Sequence, residues 1–185
     1  MAMYTYISLL RGINVSGQKR LLMSELKALY ETLGFQQVIT YVQSGNVIFD
    51  SPDADRLEIS AKIGNGIQQT FGYRVPIHIR DRIDFQRIIQ GNPFIHRQGI
   101  NLERLYVTFL SAPPAEKSLT NLDISAGIAD EFISNGAEIY LHIPGGYGRT
   151  ILSNNFFEKK LDRVATTRNW KTVNTLFDLL STRDY

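Results

Sequence analysis

The sequence predicts an α+β protein with two tandem ferredoxin-like (α/β plait) halves, each of the order β-α-β-β-α-β, and a C-terminal helix. Three observations favour this fold class. Strand-like and helix-like hydrophobic patterns alternate in that order over residues 4–79, and the same order recurs over residues 104–180. Between them, Gly91, Asn92 and Pro93 interrupt the pattern. The repeat lies in the order of the elements and not in residue identity.

The first half is predicted from the spacing of its apolar residues. Tyr4–Leu10 has a strand-forming composition, and the glycines, asparagine and serine of Arg11–Arg20 are typical of a loop. A helix follows, because Ser24 and Glu25 suit a first turn and apolar residues then recur every three or four positions until Gly34. The predicted elements are strand 4–10, helix 23–33, strands 37–42 and 46–50, helix 53–71 and strand 75–79.

The second half follows a connecting helix at residues 82–90. Asn135 and Gly136 predict a two-residue hairpin turn, and the stripe that starts at Trp170 predicts an amphipathic last helix. The predicted elements are strand 104–110, short helix 114–122, strands 128–134 and 137–143, helix 153–161, strand 164–166 and helix 169–180. We therefore expect a first half at 1–80, a linker with a helix at 81–103, and a second half with the C-terminal helix at 104–185.

Composition excludes several classes of protein. The 185 residues include no cysteine, so disulfides and thiolate chemistry are impossible. No apolar run approaches the roughly 18 residues of a membrane helix, and the N-terminus does not resemble a signal peptide. We therefore expect a cytoplasmic protein without a membrane partner. The net charge of +2 argues against extensive nucleic-acid binding.

Two tracts, 1–24 and 163–177, contain basic residues and no acidic residue, which makes them candidate edges for an anion; the alternative is that such tracts arise by chance in a chain of balanced charge. In the predicted topology the first two strands run in the same direction, so the loop after the first strand and the turn after the second leave the sheet together. The residues expected to meet there are Arg11, Gly12, Asn14, Lys19, Arg20, Ser44, Gly45 and Asn46. Together with a helix N-terminus they favour an anion such as phosphate. The alternative is that asparagine and glycine only satisfy tight turns.

The second half offers a similar edge. Its third and fourth strands are expected to run in the same direction, which places the glycine-rich loop 144–149 beside Thr167 and the start of the last helix. The ligand-binding residues predicted there are Arg149, Arg168, Asn169 and Lys171, which suit a doubly charged oxyanion or a sugar phosphate. The alternative is that Thr166 and Thr167 cap the last helix while Trp170 anchors it to the core.

The sequence predicts no catalytic residue, metal ligand or cofactor. His78, His96 and His142 stand alone, without the paired spacing of a metal site. Aromatic residues on the strands, such as Tyr6 and Phe49, resemble the stacking platform of an RNA-binding sheet. The sequence motif of that platform is missing, however, and strand aromatics usually belong to the core.

Several blocks of the sequence resemble, in order and over essentially the whole chain, the bacterial domain of unknown function 1697 family. They are RGINVSG, MSELKALYETLGF, TYVQSGNVIF, NPF, GYGRTILSNNFFEKKL and ATTRNWKTVNTL. The resemblance implies a two-part α/β protein with ferredoxin-like halves, and it implies no activity. The residues that match the blocks are Arg11, Gly12, Asn14, Gln43, Ser44, Gly45, Asn46, Thr166, Thr167, Arg168, Asn169 and Trp170.

The function that these patterns favour is binding of an anionic small molecule, phosphate-bearing and for example a nucleotide, at the loop edges or in the groove between the halves. Two other functions stay open. One is a transferase or hydrolase, with Arg168 and Lys171 holding the phosphate of its substrate. The other is an RNA or protein interaction module, because this fold class hosts both.

Overall fold

The structure, a computed structural model, describes residues 3–15, 17–120, 122 and 129–183. The chain divides into two compact units. The first comprises Met1–Phe85 with Leu176–Tyr185, and the second comprises Gln86–Thr175. The limits expected from the sequence, with a linker at 81–103, stay a prediction.

The first unit contains a four-stranded antiparallel sheet. Its elements are β1 (Tyr4–Leu10), α1 (Met23–Thr32), β2 (Gln36–Tyr41), β3 (Asn46–Ser51), α2 (Arg56–Phe71) and β4 (Ile77–Asp81). The strand order is β2-β3-β1-β4, and Ile7 of β1 lies opposite Ile48 of β3 and Arg80 of β4. Because β3 is antiparallel to both β1 and β2, these two strands run in the same direction. The loop after β1 and the turn after β2 therefore leave the sheet at one end.

Local chemistry fixes the ends of the helices in this unit. Asp55 precedes α2, and its carboxylate accepts the N–H groups of Leu57 and Glu58 at 2.7 and 3.2 Å. The next helix, α3 (Arg82–Gln90), begins with a reciprocal cap in which the carboxylates of Asp81 and Asp84 each accept the other residue's backbone N–H. These caps satisfy backbone donors that a helix cannot satisfy by itself.

The core of the first unit lies between the sheet and its two helices. Its apolar residues recur every second position on the strands and every third or fourth on the helices; they include Tyr6, Leu10, Val47, Phe49, Ile59, Ile63 and Ile67. The buried hydroxyl of Tyr30 lies 2.7 Å from Ser8 Oγ. Burial raises the pKa of Tyr30, so its hydroxyl stays neutral inside this core.

The second unit repeats the connectivity of the first. Its elements are β5 (Leu105–Leu110), α4 (Glu116–Thr120), β6 (Glu131–Asn135), β7 (Glu138–His142), α5 (Asn154–Leu161) and β8 (Ala165–Asn169). The strand order β6-β7-β5-β8 matches β2-β3-β1-β4 of the first unit, and every pairing is antiparallel. A last helix, α6 (Trp170–Ser181), follows β8 directly.

Within the described residues the fold thus has two four-stranded antiparallel sheets and six α-helices, the last of them C-terminal. The α+β class and the tandem arrangement are confirmed. Several elements differ from their predicted limits by two or more residues, including α2 and β4 of the first unit and β6 of the second. The helix expected at 114–122 spans Glu116–Thr120, and the strand expected at 164–166 extends to Asn169, because it pairs with β5 along its whole length. Asn121 and Ile128, at the ends of two predicted elements, lie outside the described residues.

The described helices were compared with the length and apolarity that a membrane span requires. None of them is both long enough and apolar enough to cross a lipid bilayer.

Candidate functional site

Asn14 joins the loop after β1 to the turn after β2. Its Nδ2 donates to the main-chain oxygens of Leu21 and Gln43, at 3.0 and 2.9 Å. Its Oδ1 accepts the N–H of Leu21 at 2.9 Å. Asn14 has a φ of 53°, a conformation that asparagine adopts more readily than most residues. The two segments therefore meet at this side chain, whose amide group holds them together.

The turn after β2 packs tightly against the end of β1. The N–H of Leu10 donates to the oxygen of Gly45 at 2.8 Å. Gly45 has a φ of 76°, and a Cβ there would lie 2.7 Å from the Cβ of Leu10. Buried Asn46 donates from Nδ2 to the oxygen of Tyr41 at 3.0 Å and to Ser44 Oγ at 2.9 Å. The predicted residues Ser44 and Asn46 thus bond to each other within the turn.

Other predicted residues of the first loop contact the segment that leads into β4. The N–H of Arg11 donates to the oxygen of Pro76 at 3.0 Å. Lys19 Nζ donates to the oxygen of Arg74 at 2.8 Å. Gly12 has a φ of 70°, with no atom within 4 Å of the position a Cβ would take. These two bonds connect the start of the loop and Lys19, nearer its end, to residues 74–76.

A cavity of about 440 Å³ opens beside Asn14. It is formed by the loop after β1, the first turn of α1 and the turn after β2. The lining residues are Asn14, Gly17, Arg20, Leu21, Leu22, Glu25 and Gln43. Its volume is in the range typical of small-molecule sites.

Opposite charges line this cavity. Arg20 and Glu25 are both exposed, and within residues 3–15, 17–120, 122 and 129–183 neither side chain makes a hydrogen bond or an ion pair. The side-chain amide of Gln43 is equally without a bond in that part of the chain. The cavity therefore offers a guanidinium, a carboxylate and an amide to a ligand.

Sequence reasoning did not include Glu25 in the site. The residue follows the acid-free tract 1–24 directly and was assigned only to the first turn of a helix. Its position could have identified it, since that helix N-terminus was itself expected to face the ligand.

The N-terminus of α1 is the other feature of the cavity wall. Leu22 occupies the capping position with φ −71° and ψ 134°, and no side chain caps the helix. The first N–H groups of a helix have no partner within it and carry partial positive charge. The backbone at this end of α1 therefore favours an anion, and the carboxylate of Glu25 in the first turn opposes it.

The predicted edge of the second unit is closed by a hydroxyl network. Tyr147 OH donates to Thr167 Oγ1 at 3.0 Å, and Thr167 Oγ1 donates to Asn154 Oδ1 at 2.7 Å. Thr108 Oγ1 lies 2.7 Å from Thr167 Oγ1 and must be the donor, because a hydroxyl has a single proton. The glycine-rich loop does lie beside Thr167, and the hydroxyl of Thr167 uses all of its bonding capacity there.

Arg168 lies on the opposite face of β8 from this network, since successive residues of a strand point to opposite faces. Its guanidinium is buried and donates to Thr166 Oγ1 and to the main-chain oxygen of Thr167, at 2.8 and 2.9 Å. Asn169 caps α6, with Oδ1 accepting the N–H of Thr172 at 2.7 Å. The expectation that Thr166 and Thr167 cap this helix is wrong, because both belong to β8.

Arg149 and Lys171 have exposed side chains, on a 3₁₀ turn (Tyr147–Arg149) and on α6 respectively. Neither makes a side-chain hydrogen bond or ion pair with any residue that the structure describes. The ligand-binding role of the second edge stays a prediction.

A smaller cavity of about 240 Å³ lies at the start of β1. Its lining residues are Met3, Tyr4, Thr5, Tyr6, Asp81, Arg82 and Ile83. Thr5 Oγ1 donates to Asp50 at 2.5 Å, and Arg56 pairs with Asp81. Arg82 is exposed, and its side chain makes no hydrogen bond or ion pair with any residue that the structure describes. This cavity therefore offers a ligand one guanidinium beside apolar surface, in about half the volume of the cavity beside Asn14.

The remaining candidates are accounted for by packing and ion pairs. Among the described residues, no group of three or more histidine, aspartate and glutamate side chains is arranged to hold a metal. His142 Nδ1 lies 3.1 Å from Glu131, which also pairs with Arg97 at 2.7 Å. The hydrogen bond from Arg97, and then that from His142, lowers the pKa of Glu131. Of the strand aromatics considered for base stacking, Tyr6 and Phe49 are buried in the core, Tyr41 and Tyr106 are half-buried, and Tyr4 is exposed.

The fold and the cavity define an α+β protein of two similar four-stranded units with a mixed-charge cavity in the first. The chain belongs to the family described as Protein of unknown function (DUF1697), whose sequence profile matches residues 3–140. This confirms the family resemblance. The blocks beyond residue 140 lie outside the matched region.

The chain is also similar to a solved structure, described as that of conserved bacterial protein SP0830 from Streptococcus pneumoniae. The TM-score is 0.70 over 98% of this chain and 100% of that chain, at 20% sequence identity. At this identity the likeness shows the fold alone. None of the curated proteins matches the chain significantly.

Proposed function

We propose that this chain binds an anionic, phosphate-bearing small molecule, with nucleotides among the candidates, in the cavity beside Asn14. The observation that carries the proposal is the exposed guanidinium of Arg20 on the wall of a cavity of about 440 Å³. A guanidinium presents paired N–H donors that match the oxygens of a phosphate. An exposed ion pair contributes about 0.2–1 kcal/mol, so the guanidinium alone would bind weakly and the neighbouring groups must add to it.

Two neighbouring features support the same ligand. The N-terminus of α1 lacks a side-chain cap, so its partial positive charge is available to an anion near Leu22. Gln43 adds an amide that can donate or accept a hydrogen bond. The bonds of Asn14 fix the main chain at Leu21 and Gln43, next to these groups, before a ligand arrives, which reduces the backbone entropy lost on binding.

We further propose that each unit is a ferredoxin-like half. Two observations support this assignment. The element order in each is β-α-β-β-α-β, and the strand orders β2-β3-β1-β4 and β6-β7-β5-β8 place the first strand of each unit between the third and the fourth. In such a half the loop after the first strand shares one end of the sheet with the turn after the second.

Thermal unfolding in the presence of ligands tests the binding proposal. With inorganic phosphate, AMP and sugar phosphates as probes, we expect at least one to raise Tm by about 3–6 °C at ten times its Kd. Arg20→Gln should abolish that shift, because it removes the cation and keeps a polar side chain of similar length.

The matched control is Arg149→Gln, which makes the same change of charge on the loop of the second unit. It should keep the shift. If the shift in Tm were lost in Arg149→Gln and kept in Arg20→Gln, the ligand would bind to the second unit and not to the first. No shift with any probe at millimolar concentration, in folded protein, would overturn the proposal.

A further inference from the structure

We propose that the ligand of this cavity carries a protonated amine as well as a phosphate, so that it is an amine-bearing phosphomonoester and not a nucleoside polyphosphate. This inference rests on the proposed function and concerns the same cavity. It starts from Glu25, the acidic residue that lines the cavity together with Arg20.

The two charges of the cavity are both available to a ligand. Among the described residues, neither Arg20 nor Glu25 has a side-chain partner, and no ion pair joins them. A phosphate that contacts Arg20 therefore enters a cavity that also holds a carboxylate. Unlike charges at exposed sites attract, and like charges repel by a similar amount.

The charge of the ligand follows from this arrangement. A single phosphate next to Arg20 gains the favourable contact at the cost of limited repulsion from Glu25. A polyphosphate places several negative charges in a cavity with one cation and one carboxylate. An ammonium group on the same ligand turns the carboxylate from a repulsive neighbour into a partner.

The positions of the two groups add a constraint on shape. Glu25 belongs to the first turn of α1, whereas Arg20 belongs to the loop that Asn14 ties to Leu21. Leu22 lies between them in sequence and is 62% exposed. All three residues line the same cavity, so a ligand with a short aliphatic body between its charged groups would also contact exposed apolar surface there.

The test compares two probes that differ in one group. Phosphoethanolamine carries a phosphate and a protonated amine, whereas ethyl phosphate has the same phosphate and no amine. Isothermal titration at pH 7 should show phosphoethanolamine binding about three- to fivefold more tightly, the effect of one exposed ion pair. Glu25→Gln should remove that difference.

Glu31→Gln is the matched control. Glu31 is another exposed acid of α1, lies 3.8 Å from Lys27 and does not line the cavity. This variant should keep the preference for the amine. Circular dichroism of both variants verifies that α1 remains folded.

The other outcomes separate this inference from the proposed function. Equal affinity for the two probes, or a preference that survives Glu25→Gln, overturns the inference. If ethyl phosphate still bound and its binding depended on Arg20, the proposed phosphate site would nevertheless be supported. ATP binding more tightly than phosphoethanolamine also overturns the inference, and binding of no probe by the folded protein overturns both proposals.

Discussion

The first and second units share one strand order, yet the loop edges predicted to bind a ligand are built differently. In the first unit, the amide of Asn14 joins loop and turn, and Arg20 and Glu25 remain on the wall of a cavity. In the second, Thr167 binds three neighbours through its hydroxyl, and Arg168 is buried on the other face of β8. At that second edge, Arg149 and Lys171 are the exposed side chains without a partner among the described residues. Strand direction brings loops together, and local bonds decide which polar groups are left for a ligand.

The comparison also separates two roles of a guanidinium. Arg168 donates hydrogen bonds to Thr166 and to the main-chain oxygen of Thr167. These bonds stabilise β8, which is an edge strand of the sheet among the described residues. Arg20 makes no such bonds to the described residues. We therefore expect Arg168 to contribute to stability, whereas the proposed ligand binding concerns Arg20.

The largest expected effect concerns the contact between turn and strand in the first unit. Gly45→Ala should lower the free energy of unfolding by about 2–5 kcal/mol, because a left-handed conformation costs about 1–2 kcal/mol and overpacking adds about 1–3 kcal/mol. Its Cβ would lie 2.7 Å from Leu10. Urea unfolding measures the loss.

Gly72→Ala provides the matched control for this variant. Gly72 has the same φ of 76°, but no atom lies within 4 Å of the Cβ position. It should cost only about 1–2 kcal/mol, the conformational part. If both variants lowered the free energy of unfolding by the same amount, the close contact between Gly45 and Leu10 would not contribute to the loss.

The second effect compares the two arginines. Arg168→Ala should destabilise the protein by about 1–3 kcal/mol, because it removes charge-assisted bonds and leaves Thr166 and a strand oxygen without their donor. Arg20→Ala should change stability by less than about 0.5 kcal/mol, as exposed substitutions do. Chemical denaturation of both variants is the measurement. Similar losses of unfolding free energy in the two variants would contradict the idea that Arg168, and not Arg20, stabilises the fold.

A third effect tests the hydroxyl network. Thr167→Val keeps the shape of the side chain but leaves Tyr147, Thr108 and Asn154 without their shared partner. We expect a loss of about 1–2 kcal/mol and no change in ligand affinity. Reduced affinity for a phosphate-bearing ligand would instead indicate that the second edge binds it.

Much of the fold could be predicted from the sequence because its signals are local. Apolar spacing predicted the limits of β1 and α3 as the structure shows them. Gly72 ends α2 and Gly136 lies in the hairpin turn, both with the positive φ that glycine adopts easily. The helix at 116–120 has only five residues, too few for a periodic pattern to define its ends.

The sites were harder to predict because they depend on which face a side chain occupies. The extent of β8 was underestimated, so Arg168 was placed in a loop although it alternates with Thr167 along a strand. Glu25 was treated as a helix residue, and its presence in the cavity follows only from the packing of three segments. Sequence spacing carries neither kind of information.

The smallest expected effect is the dependence of stability on pH that arises from the ion pairs of Glu131. In the second unit, Arg97 and then His142 hold the pKa of Glu131 below its ordinary value of 4.5. A carboxyl whose pKa is lowered by folding adds stability above its unfolded value, and that contribution is lost as the pH falls through the folded value. The stability of the protein should therefore decline below about pH 4.5 partly through Glu131, by about 0.2–1 kcal/mol for so exposed a pair.

Glu131→Gln isolates that contribution, because glutamine keeps the shape of the side chain and does not titrate. Between pH 6 and pH 3 the variant should lose less stability than the unmodified chain, and the two curves should converge at the acid end. If Glu131→Gln lost as much stability as the unmodified chain over this range, the ion pairs of Glu131 would not contribute to the acid dependence.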